Sequence, residues 1–280
     1  MTLITSPSNP RISRARELQT SKGRKKHGLF LMEGPHLLEV LLDIAIIPAE
    51  VYYQPALLAR TAQGRALLHR LLHTRALPAD SQVEVSERVI ESMSETQTSQ
   101  GVISLLSLSA FSPQHTRARR PASSRPALLI LDGVADPGNM GTIMRTALAA
   151  DVAEVLLTPD CVDYFSPKVV RSAAGAHVAL PVAVDQAWDA IEERIASHCR
   201  GERRVLLAEA GSPHRYFEQD LRSPFALITG NEAHGPSPEA RKRATTTVSI
   251  PLANNVESLN VAMATGIILY EAVRQSQTSA

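Results

Sequence analysis

The sequence predicts an α/β protein in two parts, a small α/β domain over residues 1–108 and a parallel-sheet α/β domain over 127–280. Three observations predict it. Up to Leu108, short β-branched or apolar runs alternate with helical stretches. Residues 110–126 (AFSPQHTRARRPASSRP) then break the pattern with prolines, serines and Arg117, Arg119, Arg120 and Arg125, a composition that suits an exposed linker over 109–126. From Ala127 the βα units lengthen, as in a parallel sheet covered by helices on both faces. At 280 residues the chain is long enough for two cores.

In order, Arg11, Arg14 and Lys22 with Leu18 between them fit one amphipathic helix with a cationic face, and Arg24, Lys25 and Lys26 extend the charge. Leu29–Met32 reads as a strand, His36–Leu42 as a helix, Val51–Tyr53 as a strand and Leu57–Leu72 as a helix with an apolar stripe. Val83–Val85 and Gly101–Leu108 are strands around a helix at Glu87–Met93. In the second part, strands are expected at Ala127–Leu131, Glu154–Thr158, Val178–Val184, Val205–Ala208, Phe225–Thr229 and Val248–Ile250. Helices are expected to about Ala150, over Pro167–Gly175, over Trp188–His198, near Pro238–Ala244, and from Ser258 onward. That last helix is apolar on nearly every side, which fits burial partly in a core and partly in an interface between two copies. Asn254 or Asn255 is its expected cap, with Glu257 in its first turn.

The bulk numbers exclude several classes. Net charge is only +1, so contact with nucleic acid must come from local charge such as the basic first thirty residues. Cys161 and Cys199 are too few and too far apart for a disulfide framework or a zinc site, and no metal is expected. No apolar signal region opens the chain, and Val40–Ile47 is broken by Asp43 and bounded by Pro48, so the expectation is a cytoplasmic protein without a membrane span. Aromatics make up 4%, too few for a base-stacking platform.

Chemistry concentrates in three loops after strands, where ligands of parallel sheets bind. Gly133, Gly138 and Gly141 miss the dinucleotide spacing, which sets aside a nicotinamide oxidoreductase. Asn139 is a candidate helix cap, and Arg145, about 9 Å along the axis, sits among apolar neighbours with a side chain that leans back toward the loop. Gly230-Asn231-Glu232-Ala233-His234-Gly235 has glycines at both ends that permit close backbone approach to a ligand; His234 reads as a turn residue. The third loop carries Ser258 and Asn260 at a helix mouth.

Taken together, Asn139–Ala147 (NMGTIMRTA), Gly230–Gly235 (GNEAHG) and Ile250–Ala264 (IPLANNVESLNVAMA) resemble the three ordered motifs of the SpoU/TrmH branch of SPOUT RNA methyltransferases. DYFSPKVVRSAAGAHVALPV resembles that family's central segment, and TSPSNPRI with GLFLMEGPHLLEVLL resembles the L30e-like substrate-binding domain often joined to it. The resemblance implies a deep trefoil knot, a homodimer through the C-terminal domain, and S-adenosylmethionine as methyl donor. It implies that Gly230, Ile250, Leu259 and more weakly Ala208 bind that donor, and that Asn139, Arg145, Glu232, Ser258 and Asn260 form the polar cluster at the ribose. The acceptor would be a ribose 2′-hydroxyl of structured RNA, ribosomal RNA above transfer RNA. Arg11, Arg14, Lys22, Arg24, Lys25 and Lys26 would meet RNA phosphates. A non-catalytic RNA-binding relative would keep the fold and lose the polar cluster. Three departures stand out: Asp151 and Asn254 occupy positions where glycine is usual, and Ser172 is shifted by one from the usual serine.

Overall fold

The structure is a computed structural model that describes residues 3–73, 77–96, 98–118 and 127–277. It divides into two compact units, Met1–Phe111 with Phe165–Gly175, and Ser112–Tyr164 with Ala176–Ala280.

The first unit contains α1 (Pro10–Glu17), α2 (Ser21–His27), β1 (Leu29–Glu33), α3 (Pro35–Asp43), β2 (Glu50–Tyr53), α4 (Pro55–Leu58), α5 (Ala62–His73), β3 (Gln82–Glu84), α6 (Glu87–Met93) and β4 (Val102–Ser107). Its sheet has the order β1-β4-β2-β3, with β4 antiparallel to both neighbours and β3 parallel to β2. Both faces are buried, and the period of two decides which residue serves which. Tyr52 of β2 joins the cluster of Ile12, Leu18, Val89 and Ile103, whereas Val51 and Tyr53 join Leu38, Leu58, Leu67 and Val102.

The single basic helix expected over Arg11–Lys22 is two helices, because Thr20 Oγ1 accepts from the Gly23 N–H (3.1 Å) and starts a new one. Gly23 is required there: a Cβ would lie 1.9 Å from the Glu17 carbonyl oxygen. Leu57–Leu72 likewise splits, since Thr61 Oγ1 accepts from Gly64 N–H (2.9 Å) and restarts the helix as α5.

The second unit contains α7 (Pro113–Ala118), β5 (Ala127–Leu131), α8 (Pro137–Ala149), β6 (Glu154–Leu157), α10 (Ala176–Ala179), β7 (Val182–Ala183), α11 (Trp188–His198), β8 (Val205–Ala208), β9 (Phe225–Thr229), α12 (Pro238–Arg243), β10 (Thr246–Val248) and α13 (Val261–Gln277). The remaining helix, α9 (Pro167–Ser172), lies between α8 and α10 in sequence but packs on β1, with Phe165 against Phe30 at 4.9 Å between ring centroids. It therefore belongs to the first unit. The stretch read as a linker carries α7, whose Arg117 pairs with the buried Glu154 at the start of β6. Arg119, Arg120 and Arg125 lie outside the described residues. Burial pushes the Glu154 carboxyl up against the opposing pull of Arg117 and Arg194.

The second sheet runs β10-β8-β9-β5-β6-β7, every neighbouring pair parallel. Parallel strands end on one edge, so the loops after β10, β8, β9 and β5 emerge side by side. The strand expected over Val178–Val184 shrinks to the two residues of β7, because α10 takes Ala176–Ala179. No helix among the described residues is long and apolar enough to cross a membrane.

His177 of α10 is fully buried, stacked on Tyr164 (centroids 4.0 Å apart), and its Nε2–H donates to the Tyr164 carbonyl oxygen at 2.8 Å. Burial lowers its pKa from 6.5 to about 4. The unfolded chain takes up this proton below the ordinary histidine range and the folded chain does not, so stability present above pH 6.5 is lost as pH falls toward 4. A shift of that size corresponds to roughly 3 kcal/mol. Urea melts between pH 7.5 and 4.5 should show that loss in the wild type and a flatter profile in His177→Phe; equal slopes would rule the assignment out.

Candidate functional site

The loops on that edge enclose a cavity of about 530 Å³, a size in the usual range for a small-molecule site, roughly 300–1,000 Å³. Gly230 follows β9, Ala208 ends β8, and Ile250 and Leu259 come from the loop after β10; all four line it, with Leu252, Ala264 and Ile268 adding apolar wall. Gly230 fits because its backbone lies against Pro236: a Cβ would come within 2.4 Å of the Pro236 nitrogen. The turn between them is closed by Asn231 N–H to Gly235 O (3.2 Å) and Gly235 N–H to Asn231 O (2.9 Å).

Polar groups gather at the mouth. Asn139, Glu232, Ser258 and Asn260 all line the cavity. Asn260 Oδ1 accepts from the N–H groups of Ala262 and Met263 (2.9 and 3.3 Å), capping α13. Its Nδ2 donates to Asn139 Oδ1 (2.8 Å), and Asn139 Nδ2 donates to Glu232 Oε1 (2.9 Å). Glu232 also accepts from the N–H groups of Ala135 (3.1 Å) and Asp136 (3.3 Å). Donors thus run one way, from the α13 N-terminus to one carboxylate. Partial desolvation pushes the Glu232 carboxyl up, but the Asn139 amide and those backbone donors outweigh it and hold the group below the usual carboxylate range.

Several expectations need correction. The cap of α8 is Asp136, whose side chain accepts from Asn139 N–H (2.8 Å) ahead of Pro137, so the Asn139 side chain is free to serve the cavity. The last helix starts at Val261 instead of Ser258; the asparagines at 254 and 255 take left-handed turns (φ 56° each), and Glu257 stays in the loop. Arg145 does not line the cavity. Six residues advance a helix by about 600°, which turns it well away from the Asn139 face. It is exposed and has no ion pair or hydrogen-bond partner among the described residues.

Sequence reasoning missed Asp132 and Asn231. Asp132 is buried and accepts from the Ser237 N–H (2.7 Å); Asn231 Nδ2 donates to Gly133 O (2.7 Å) and its Oδ1 accepts from the N–H groups of Ala233 and His234. Asn231 had a local signal, since such a side chain mimics a turn. Asp132 had none, because its partner is a hundred residues away. His234 is an exposed turn residue beside Asn231 Oδ1. No His, Cys, Asp and Glu group among the described residues is arranged to hold a metal.

In the first unit the basic residues separate by what they touch. Arg24 is buried and donates to the carbonyl oxygens of Leu18 (2.8 Å) and Gln19 (3.0 Å), so it closes the α1 C-terminus and is withdrawn from the RNA-facing set. Arg11 and Arg14 are about 40% exposed and both donate to Glu50 (2.9 and 2.7 Å). Burial pushes the Glu50 carboxyl up, but hydrogen bonds from Tyr52, Arg14 and Arg11 hold it below its ordinary range. Lys26 pairs with Glu17 (2.8 Å), and Lys22 and Lys25 are exposed with no partner among the described residues.

Comparison with known proteins decides the family. Residues 126–270 match the SpoU rRNA Methylase family, and residues 9–104 match an MRM3-like substrate binding domain. The chain belongs to the SpoU rRNA methylase family. An uncharacterised tRNA/rRNA methyltransferase of Synechocystis is 36% identical over 97% of this chain and 93% of its own. The 23S rRNA (guanosine(2553)-2′-O)-methyltransferase RlmP of Bacillus subtilis is 31% identical over 96% and 98%. The crystal structure of an AdoMet-bound rRNA methyltransferase from Sinorhizobium meliloti superposes with a TM-score of 0.78 at 30% identity, covering 98% of this chain and 97% of that one. This SpoU methylase is accordingly an RNA methyltransferase, and its cofactor is S-adenosylmethionine.

Proposed function

We propose that the protein methylates a ribose 2′-hydroxyl of ribosomal RNA, 23S above other RNAs, with its donor in the cavity of the second unit. The observation that carries this reading is the directed chain Asn260–Asn139–Glu232 on a cavity that Gly230, Ile250 and Leu259 also line. Gly230, Ile250, Leu259 and Ala208 hold the donor by backbone edges and apolar contact. S-adenosylmethionine supplies an electrophilic methyl group on a sulfonium. The chain contributes position: Asn139 and Asn260 are held to one rotamer each by their neighbours, so the acceptor ribose meets fixed dipoles. Ser258 adds a hydroxyl at the same mouth. Arg145, outside the cavity lining, clamps an RNA phosphate near the acceptor; it does not remove the hydroxyl proton, since arginine stays protonated, and that proton leaves to the phosphate or to water.

The homologue names support ribosomal RNA as substrate. The first unit, with its mixed four-stranded sheet, is on this reading an L30e-like RNA reader. Membership of the SpoU family is what favours a trefoil knot in the second unit. A homodimer is supported by α13, where Met263 and Tyr270 remain at least half exposed. The likeness to bacterial relatives such as RlmP favours a cytoplasmic location.

The test is transfer of labelled methyl to 23S rRNA followed by alkaline hydrolysis. One alkali-resistant dinucleotide is the expected product; label on a base would overturn the ribose assignment. The reader role has its own check. Replacing Lys22 and Lys25 by Ala should lower the slope of log affinity against log salt by about 2, one per phosphate contact, without changing the melting temperature. Arg24→Ala should do the opposite, lowering stability by roughly 1–3 kcal/mol through the carbonyls it leaves unpaired. An unchanged salt slope in the lysine variant would remove those two residues from the RNA surface.

A further inference from the structure

One charged pair in the cavity wall has no part in the reading above. Glu209 follows the last residue of β8, and its N–H donates to the Val248 carbonyl oxygen (2.9 Å), so the side chain projects from regular sheet backbone. Glu209 Oε1 accepts from Nη1 of Arg241 on α12. The Glu209 side chain is 28% exposed, its second oxygen has no partner among the described residues, and the Arg241 guanidinium touches no other acceptor among them. Both residues line the same cavity as Gly230, Ile250 and Leu259.

As a unit the pair is neutral, with one open carboxylate oxygen and free guanidinium N–H groups beside it. A charged ligand group would have to compete with the partner already in place. Two adjacent hydroxyls would not: one can donate to the free oxygen while the other accepts from the guanidinium, and the ion pair survives. S-adenosylmethionine carries one such neutral pair, on its ribose. We infer that Glu209, held by Arg241, is the subsite for the vicinal ribose hydroxyls of the methyl donor. This rests on the cavity being the donor pocket.

Calorimetry on the full-length protein separates the possibilities, using S-adenosylmethionine, S-adenosylhomocysteine and 5′-methylthioadenosine as probes. All three keep the ribose; the second lacks the sulfonium charge and the third also lacks the amino-acid end. Glu209→Ala should weaken all three alike, by roughly ten- to hundredfold, the loss expected for a hydrogen bond to a charged group. A loss confined to S-adenosylmethionine would make Glu209 a counter-ion for sulfur. One that spares only 5′-methylthioadenosine would place it at the ammonium, and no loss at all would leave the pair structural; each overturns the inference. Should the variant fold poorly, the wild type still decides: it should prefer adenosine to 2′,3′-dideoxyadenosine, and equal binding would reject the subsite. If the wild type binds none of these probes, the reading of the cavity fails, and not this assignment alone.

Discussion

Arg145→Ala should lower methyl transfer to RNA by roughly 100-fold, the scale of losing a clamp that positions the acceptor. Its affinity for S-adenosylmethionine should stay within about twofold of wild type, since one tenfold step already needs 1.4 kcal/mol of lost contact. The separation follows from where the residue lies. It leaves α8 away from Asn139, lines no part of the cavity, and has no protein partner among the described residues. A guanidinium without a partner keeps its full set of N–H donors for an incoming phosphate, where it binds bidentately. Arg145→Lys should recover only part of the rate, because the charge remains and the planar fork does not. Single-turnover kinetics at saturating donor, beside calorimetry without RNA, would measure both effects. Weakened donor binding with an undiminished saturated rate would move Arg145 into the donor pocket and sink its assignment to the RNA.

How much of this was legible depended on whether a residue's partner was local. The strands Ala127–Leu131, Val205–Ala208 and Phe225–Thr229, and the helices Glu87–Met93 and Trp188–His198, have the bounds their apolar patterns predict. Those elements bury regular faces, so periodicity and fold agree. The region before Val261 misled for a physical reason. The apolar pattern places Leu259 in the first turn of the last helix, yet it sits partly exposed in the loop after β10 and lines the cavity. An apolar residue that lines a cavity is indistinguishable in sequence from one that fills a core. Arg24 misled in the same way: as one more cation in a basic run, it gave no sign that two carbonyl oxygens at the end of α1 were waiting for it. The return of 165–175 to β1 was not legible either, since nothing in that stretch names a strand more than a hundred residues earlier. In the candidate site, resemblance located Glu232 and Asn260, whereas the cap signature Asp136-Pro137 was open to plain reading and was passed over for Asn139.

Gly230→Ala should cost both stability and donor binding, more than any single polar deletion in the cavity. The added Cβ would lie 2.4 Å from the Pro236 nitrogen, 2.6 Å from its Cα and 2.7 Å from the Gly235 carbonyl carbon. All three are backbone atoms, so no side-chain rotation relieves the overlap. The opposing strand of the turn cannot simply back away. Asn231 and Gly235 exchange two hydrogen bonds, Asn231 Nδ2 holds Gly133 O at 2.7 Å, and the buried Asp132 holds Ser237 N–H at 2.7 Å. Moving Gly235-Pro236 strains these contacts together and shifts Glu232, which carries the hydrogen-bond chain from Asn139. A cost of roughly 2–4 kcal/mol is expected, in the range for overpacking with a broken buried network. Donor affinity should fall by at least about a hundredfold, since 1.4 kcal/mol is one tenfold step. Gly266→Ala is the matched control. It lies inside α13 and off the cavity lining, where a Cβ makes only an ordinary contact with Thr146 Cγ2 at 3.4 Å and alanine is the better helix former, so donor binding should change little. Calorimetry with S-adenosylmethionine and a urea melt on each variant would measure both effects. Wild-type donor affinity in a folded Gly230→Ala protein would mean that the methyl donor does not approach this loop, and the cavity would lose its assignment.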